Sequence, residues 1–408
     1  MIFGKILELI PWFLEKLRNV ESLLYLCSEK KSDMIHRLLQ DEIHRQLFKG
    51  KAIILLGSRQ TGKTCLLHAL FPNEENVVWL NGDDPGVQSL VSEINTDQWR
   101  VVMGSKKILV IDEAQQINNI GLRMKLVTDY LKDVQLVAIG SSAFELADRL
   151  NEPLTGRKWE YKIYPLSFRE MVDEHGFISE RNLLSHRLVY GYYPEVVTSP
   201  GDERRVLRTL TDSYLYKDVL TFGGIKKHNK MTILLRALAY QTGLQVSYSE
   251  LAQTVGIDAK TVESYIDILE KCYIIFRLPS YSRNLRNELK HSRKIYFYDN
   301  GIRNAVISNF TPAAQRTDIG ALWENYVIAE RMKRNAYEGH WSNRYFWRTH
   351  KQKEIDYLEE CDGRLCAYEF KYNPKKAAKI PKDFAEAYPD ALFKEITPAN
   401  FEEFLLGS

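Results

Sequence analysis

Short apolar runs alternate with amphipathic stretches between about residue 34 and residue 165. The runs are AIILLG (52–57), NVVWLNG (76–82), KILVID (107–112), VQLVAIG (134–140) and WEYKIYP (159–165). Their lengths and β-branched content predict strands buried on both faces, with helices between them, and therefore a parallel α/β sheet. After Pro165 the pattern turns helical, through SFREMVDEHG and RVLRTLTDSYLYKDVLTFGG. Three helices follow in LLRALAYQTG, YSELAQTV and AKTVESYIDILEKC, the last two joined by a tight turn at GID. YIIFRLPSY then reads as wing strands, so 231–282 is expected to be a winged helix-turn-helix. The last section, 283–408, mixes strands and helices: KIYFYDNG, a helix around ALWENYVIAERMKR, and the strands YFWRTHKQKEIDYLEE and LCAYEFK.

Residues 1–33 form an amphipathic extension, interrupted at helical spacing by Lys5, Glu8, Glu15, Lys16 and Arg18. They hold no apolar run near the ~20 residues a membrane span needs, and no signal peptide is read there. The 408 residues exceed one ordinary core, and 45% hydrophobic with 27% charged residues is a globular composition. A net charge of +3 says little about partners, so any nucleic-acid surface has to be a local patch. The five cysteines are scattered without a CxxC pair, which argues against a disulfide framework or zinc site and for a cytoplasmic setting.

The strongest chemical signal is GSRQTGKT, a complete GxxxxGK[ST] between a strand and a helix. Gly57, Ser58, Arg59, Gln60, Thr61, Gly62, Lys63, Thr64 and Cys65 wrap phosphate with backbone N–H groups and a helix N-terminus. Arg59 is expected to be a solvent-exposed variable position. Lys63 is expected to reach the β- and γ-phosphates of ATP, and the Thr64 hydroxyl to ligate Mg2+. Asp112 and Glu113 end the strand KILVID about fifty residues later. Asp112 there holds magnesium through water and Glu113 polarises the attacking water; alone, the pair would read as a helix cap. Ser141 or Ser142, after the next strand, senses the γ-phosphate, caps the following helix, or does both. Arg157 precedes the last core strand. It is either an arginine finger for a neighbouring subunit's nucleotide or a surface arginine paired with Glu152 or Glu160.

Taken in order, GSRQTGKTCLL, LVIDEAQ, AIGSS, LTGR with PLSFRE, GYYPEVV, YLYKDVL, YFYDNGIRN, LWENYV, WRTHKQKEIDY and YEFK resemble a prokaryotic family. It is the AAA-type (AAA+) ATPases with a C-terminal domain of unknown function, relatives of the archaeal ATPase group. The likeness runs from about residue 34 to about 400. It implies an AAA+ P-loop core over 34–165, a helical lid over 166–230, the winged helix over 231–282 and a restriction-endonuclease-like α/β fold over 283–408.

Two candidate chemistries remain beyond the ATP site. The candidate recognition helix carries Asp258, Glu263, Asp267 and Glu270 against Lys260 and Lys271, a poor charge for DNA phosphates and better suited to packing. The run RNLRNELKHSRK (283–294) is basic enough to track a nucleic-acid backbone, although a solvated charged face gives the same run. In the C-terminal section, Asp356, Glu369 and Lys371 fall on one face of a hairpin turned at CDGR, and Glu324 points there from a helix. That set matches the two carboxylates and a lysine of a Mg2+-dependent nuclease; a charged hairpin has the same letters. The expectation is therefore an ATPase that switches or drives a C-terminal nuclease-like module. The alternatives are an ATP-gated nuclease, or a nucleotide-switched module binding DNA or a partner protein, with a homo-oligomer open in each case.

Overall fold

The computed structural model describes residues 34–140, 153–212, 228–281, 293–349, 351–373 and 377–407. One compact unit runs from Arg37 to the C-terminus and carries every site discussed below. Among the described residues no helix is long and apolar enough to cross a membrane. Ser141 and Ser142, residues 1–33, and 283–292 of the basic run lie outside them.

Five strands, β1 (Ala52–Leu56), β2 (Val77–Asn81), β3 (Ile108–Asp112), β4 (Gln135–Gly140) and β5 (Lys158–Lys162), form a parallel sheet in the order β2-β3-β4-β1-β5. β1 and β4 are buried along their whole length, as continuous apolar runs between helix layers should be. β5 departs from the expectation of burial on both faces: it is the sheet edge, and Trp159 is 37% exposed. β4 lies between the phosphate-loop strand β1 and the acid-bearing strand β3.

The chain leaves the sheet through a helix at Phe168–His175, whose first turn is closed by a capping box between Ser167 and Glu170. Helices His228–Tyr240, Tyr248–Val255 and Ala259–Lys271 follow, with Ser247 and Asp258 capping the second and third. They pack with β6 (Gln245–Val246), β7 (Ile275–Pro279) and β8 (Arg293–Phe297), an antiparallel sheet in the order β6-β8-β7. β8, expected in the C-terminal section, pairs with β6 and β7 instead, because its apolar face completes the core under the three helices.

A long helix, Ile319–Tyr337, leads into the C-terminal sheet of β9 (Asn343–Arg348), β10 (Glu354–Cys361), β11 (Arg364–Phe370) and β12 (Leu392–Ile396), ordered β12-β11-β10-β9. Asp362 (φ 50) and Gly363 (φ 76) turn the β10–β11 hairpin, the two positive φ values that a tight two-residue turn demands.

Candidate nucleotide site and the C-terminal carboxylate cluster

β1 delivers the chain to Gly57, and the helix Lys63–Leu70 receives it six residues later. A Cβ on Gly57 would stand 2.1 Å from the Ile163 carbonyl oxygen, so only glycine lets the loop pass the end of β5. Gly62 has φ 88 and no side chain with which to cap the first turn, which keeps that turn open to a phosphate. Lys63 is 7% exposed, and its Nζ donates to the carbonyls of Gly57 (2.9 Å) and Ser58 (2.7 Å). The ammonium is therefore positioned over the loop, where phosphate oxygens are stronger, charged acceptors. Thr61 donates to the Ser58 carbonyl at 2.8 Å, and the Ser58 hydroxyl shares a 3.0 Å hydrogen bond with Tyr193. Gln60 takes φ 58 at the loop tip. Arg59 is half-buried, not solvent-exposed as its position suggested.

Across β4, the Thr64 hydroxyl donates to Asp112 Oδ2 at 3.0 Å. A hydroxyl and a carboxylate at that separation are the hard oxygen pair that Mg2+ takes beside phosphate, so this site fits the ion. Burial, and then the charge of Glu113, raise the Asp112 carboxyl above its ordinary range, against the hydrogen bond from Thr64. A bound cation would reverse that shift. Glu113 has φ 45, which turns its carboxylate out of the strand direction, where Gln115 donates to it. Cys65 is exposed on the first turn of the helix. Arg157 donates to Asp129 at 2.7 Å, while Glu160 is paired with Lys158 and Glu152 lies outside the described residues. Arg157 precedes the Lys158–Ala52 pair, at the opposite sheet end from the phosphate loop, and so lies away from its own chain's nucleotide site.

One arginine that the motif reading missed holds this loop from beneath. Arg37 is 6% exposed and donates to the Thr61 carbonyl, to Tyr164 O (2.8 Å), to Glu170 Oε1 (2.9 Å) and to the Tyr337 hydroxyl (3.3 Å). Burial opposes its charge, but Glu170 and Tyr337 outweigh burial and raise its proton affinity. No sequence motif surrounds it; only the fold brings residues 37, 61, 164, 170 and 337 together.

The loop, lysine, hydroxyl and acid pair thus meet at the C-terminal ends of the neighbouring strands of one parallel sheet. Residues 49–172 match the model of an AAA domain. Residues 181–313 and 319–399 match two domains of unknown function, DUF8612 and DUF4143. The chain thus carries an AAA-type P-loop domain with a parallel sheet, followed by a DUF4143 domain. An uncharacterized protein of Haemophilus influenzae is 26% identical over 308 residues, covering 69% of this chain and 74% of that protein. One of Methanocaldococcus jannaschii is 24% identical over 377 residues, covering 79% and 77%. Among solved structures, a Walker-type ATPase of Pyrococcus abyssi aligns with a TM-score of 0.48 at 16% identity, over 68% of this chain and 97% of its own.

In the DUF4143 section, Tyr357 pairs with Tyr368 across the hairpin, so the next step of that register sets Asp356 opposite Glu369. Asp356 is 9% exposed, and its Oδ2 accepts from the Phe370 N–H at 2.8 Å. Burial first, then the charges of Glu324 and Glu369, push its carboxyl well above the usual range. Lys371 donates to Glu369 at 2.6 Å. Burial works against the Lys371 ammonium, but Glu369, Asp356 and Glu324 raise its proton affinity overall. Glu324, Asp356, Glu369 and Lys371 therefore share one electrostatic corner.

The expected metal-sized gap between them is modified by Lys294. This lysine, 2% exposed on β8, pairs with Glu324 at 2.9 Å and with Glu354 at 2.5 Å. The Tyr296 hydroxyl also donates to Glu324, at 2.6 Å. Burial pulls the Lys294 proton off, and Glu324, Asp356 and Glu354 more than hold it on. Among the described residues no group of three or more His, Cys, Asp or Glu is arranged to hold a metal ion. The single Lys294 ammonium is shared between Glu324 and Glu354, and Arg348 Nε also lies 3.4 Å from Glu354. The sequence signal for Lys294 was its place directly before the apolar run Ile295–Phe297 of its strand.

Proposed function

We propose that this chain is a Mg2+-dependent AAA+ ATPase whose nucleotide state acts on its C-terminal module. The carrying observation is the Thr64–Asp112 contact at 3.0 Å beside a Lys63 poised over the loop. In this reading Lys63 and the loop amides bind the β- and γ-phosphates, and Thr64 and Asp112 hold magnesium, which neutralises phosphate charge. Glu113 orients the water and takes its proton, with Gln115 fixing the carboxylate. Ser141 or Ser142 is the γ-phosphate sensor, and Arg157 acts on a neighbouring subunit. ATP turnover measured on the purified chain tests this. Lys63→Ala should abolish binding, and Glu113→Gln should bind ATP without hydrolysing it. Unchanged turnover in both would remove the assignment.

The long helix supplies the coupling. Tyr337 accepts from the Tyr164 N–H (3.1 Å), Lys333 donates to Leu166 O (2.9 Å) and Glu330 accepts from the Phe168 N–H (2.7 Å). Helical spacing puts these on one face against the chain that leaves the sheet. The same helix presents Glu324 to Lys294 and Asn325 to the Phe297 N–H at 2.7 Å.

We read 228–297 as a winged helix that packs rather than reads DNA. Asp258 is spent as a helix cap, Asp267 and Glu270 pair with Arg277, and Glu263 pairs with Arg293. A second reading, an ATP-gated nuclease on a restriction-endonuclease-like fold, is favoured by Asp356 opposite Glu369. Like charges directly opposite on a sheet are destabilising unless a cation serves them. In that reading Lys294 has to leave Glu324 for a metal to enter. DNA incubated with Mg2+ or Mn2+, with and without ATP, tests it; cleavage that survives both Asp356→Ala and Lys371→Ala rules this site out.

A further inference from the structure

A cavity of about 470 Å3 opens where β5, β7, the long helix, β9 and β10 meet, with none of the phosphate-loop residues in its lining. That volume falls in the ~300–1,000 Å3 range of small-molecule sites. Its walls are aromatic, with Tyr273, Phe276, Tyr298 and Tyr357 on them.

The polar groups facing the cavity are unusual. Arg344, half-buried on β9, makes no side-chain hydrogen bond or ion pair among the described residues. Its charge acts on the hydroxyls of Tyr164, Tyr298 and Tyr357, and the carboxylate opposite it across the strands, Glu359, is already paired with Arg331. The other lining arginine, Arg277, is by contrast neutralised by Asp267 and Glu270. Lys162, exposed at the rim, also has no ion-pair partner among the described residues. The Tyr273 hydroxyl is buried without a hydrogen-bond partner among them, on a residue that is 5% exposed and held at φ 57. A buried hydroxyl left unmatched is destabilising, and such a group marks a place that a ligand can complete. The positive φ of Tyr273 is that of the residue ending the helix Ala259–Lys271, where the Ile274 N–H returns to the Leu269 carbonyl at 3.1 Å.

We propose that this cavity binds a small organic anion built from a planar ring and a phosphate, of the mononucleotide class, at a site separate from the phosphate loop. Arg344 and Lys162 supply the two positive charges a phosphate dianion needs, and the arginine fork matches its oxygens. The aromatic walls take the ring face, and the Tyr273 hydroxyl takes a polar ring or sugar atom. The ligand would bear directly on the nucleotide site. Tyr298 stacks on Tyr164 at 5.4 Å, and the Tyr164 carbonyl is held by Arg37, which also holds Thr61 in the loop. The site stands whether or not the phosphate loop hydrolyses ATP.

The test is calorimetric titration of the full-length chain, kept in excess Mg-ADP, with AMP, GMP, CMP, UMP and inorganic phosphate. At least one monophosphate should bind. Arg344→Gln should weaken it about tenfold or more, the loss of one charge-assisted contact. Tyr273→Phe, which removes a hydroxyl without a hydrogen-bond partner among the described residues, should weaken it severalfold without lowering the melting temperature or ADP binding. The proposal is overturned if no monophosphate binds, if binding survives both substitutions, or if inorganic phosphate binds as tightly as every monophosphate.

Discussion

Arg37→Met removes a side chain that ties the phosphate loop to the helix Phe168–His175 and to the long helix at once. The guanidinium is 6% exposed and Glu170 is 2% exposed, so the substitution strands a buried carboxylate. Breaking one partner from such a pair costs about 3–5 kcal/mol. Glu170 keeps hydrogen bonds from Leu38 N (3.1 Å), Ser167 N (2.8 Å) and the Ser167 hydroxyl (3.0 Å), which puts the loss near the lower end. The Thr61 and Tyr164 carbonyls each lose a charged donor as well. In the double variant Arg37→Met/Glu170→Gln no charge is stranded, and Gln still serves the capping box. Urea denaturation should therefore recover most of the lost stability in the double variant. Mg-ATP affinity should behave differently. Without the Arg37–Thr61 bond the loop is no longer pre-organised, and affinity should fall about tenfold or more in both variants, the worth of one charged hydrogen bond. The reasoning is refuted if affinity is unchanged, or if it recovers in step with stability in the double variant.

Other consequences follow from single contacts. Lys294→Met leaves Glu324, Glu354 and Asp356 facing one another, so it should destabilise the chain by about 3–5 kcal/mol, with Mn2+ restoring part of the loss; equal stability with and without Lys294 would show the cluster to be solvated. Asp318 is pushed up by burial, but hydrogen bonds from Arg316 and Arg303 outweigh this and hold its carboxyl down to about 2. Because the folded value is depressed, its contribution of about 2 kcal/mol is present above pH ~4 and lost as pH falls towards 2. Acid denaturation of Asp318→Asn should lack that step. Arg157→Ala should lower ATP turnover without weakening Mg-ATP binding, since Arg157 lies at the far end of the sheet; turnover equal to wild type would leave Arg157 with its Asp129 ion pair alone.

The sequence alone determined whatever depends on local order. Apolar runs of strand length gave the five strands of the parallel sheet, and GSRQTGKT fixed its own strand-loop-helix setting, because backbone wrapping of phosphate needs those glycines in that order. The Asp-Gly turn likewise brought Asp356 and Glu369 to facing positions, since strand period and turn type set register within a hairpin. Tertiary structure decided what depends on distant partners. Arg37 sits in no motif and acts through residues up to 300 positions away in the chain. Pattern assigned β8 to the C-terminal section, and its hydrogen bonds put it with β6 and β7. That pairing carries Lys294 to Glu324 and Glu354, beside the acids whose letters suggested a metal site. Charge neutralisation is a property of three-dimensional neighbourhood, and spacing along the chain does not encode it.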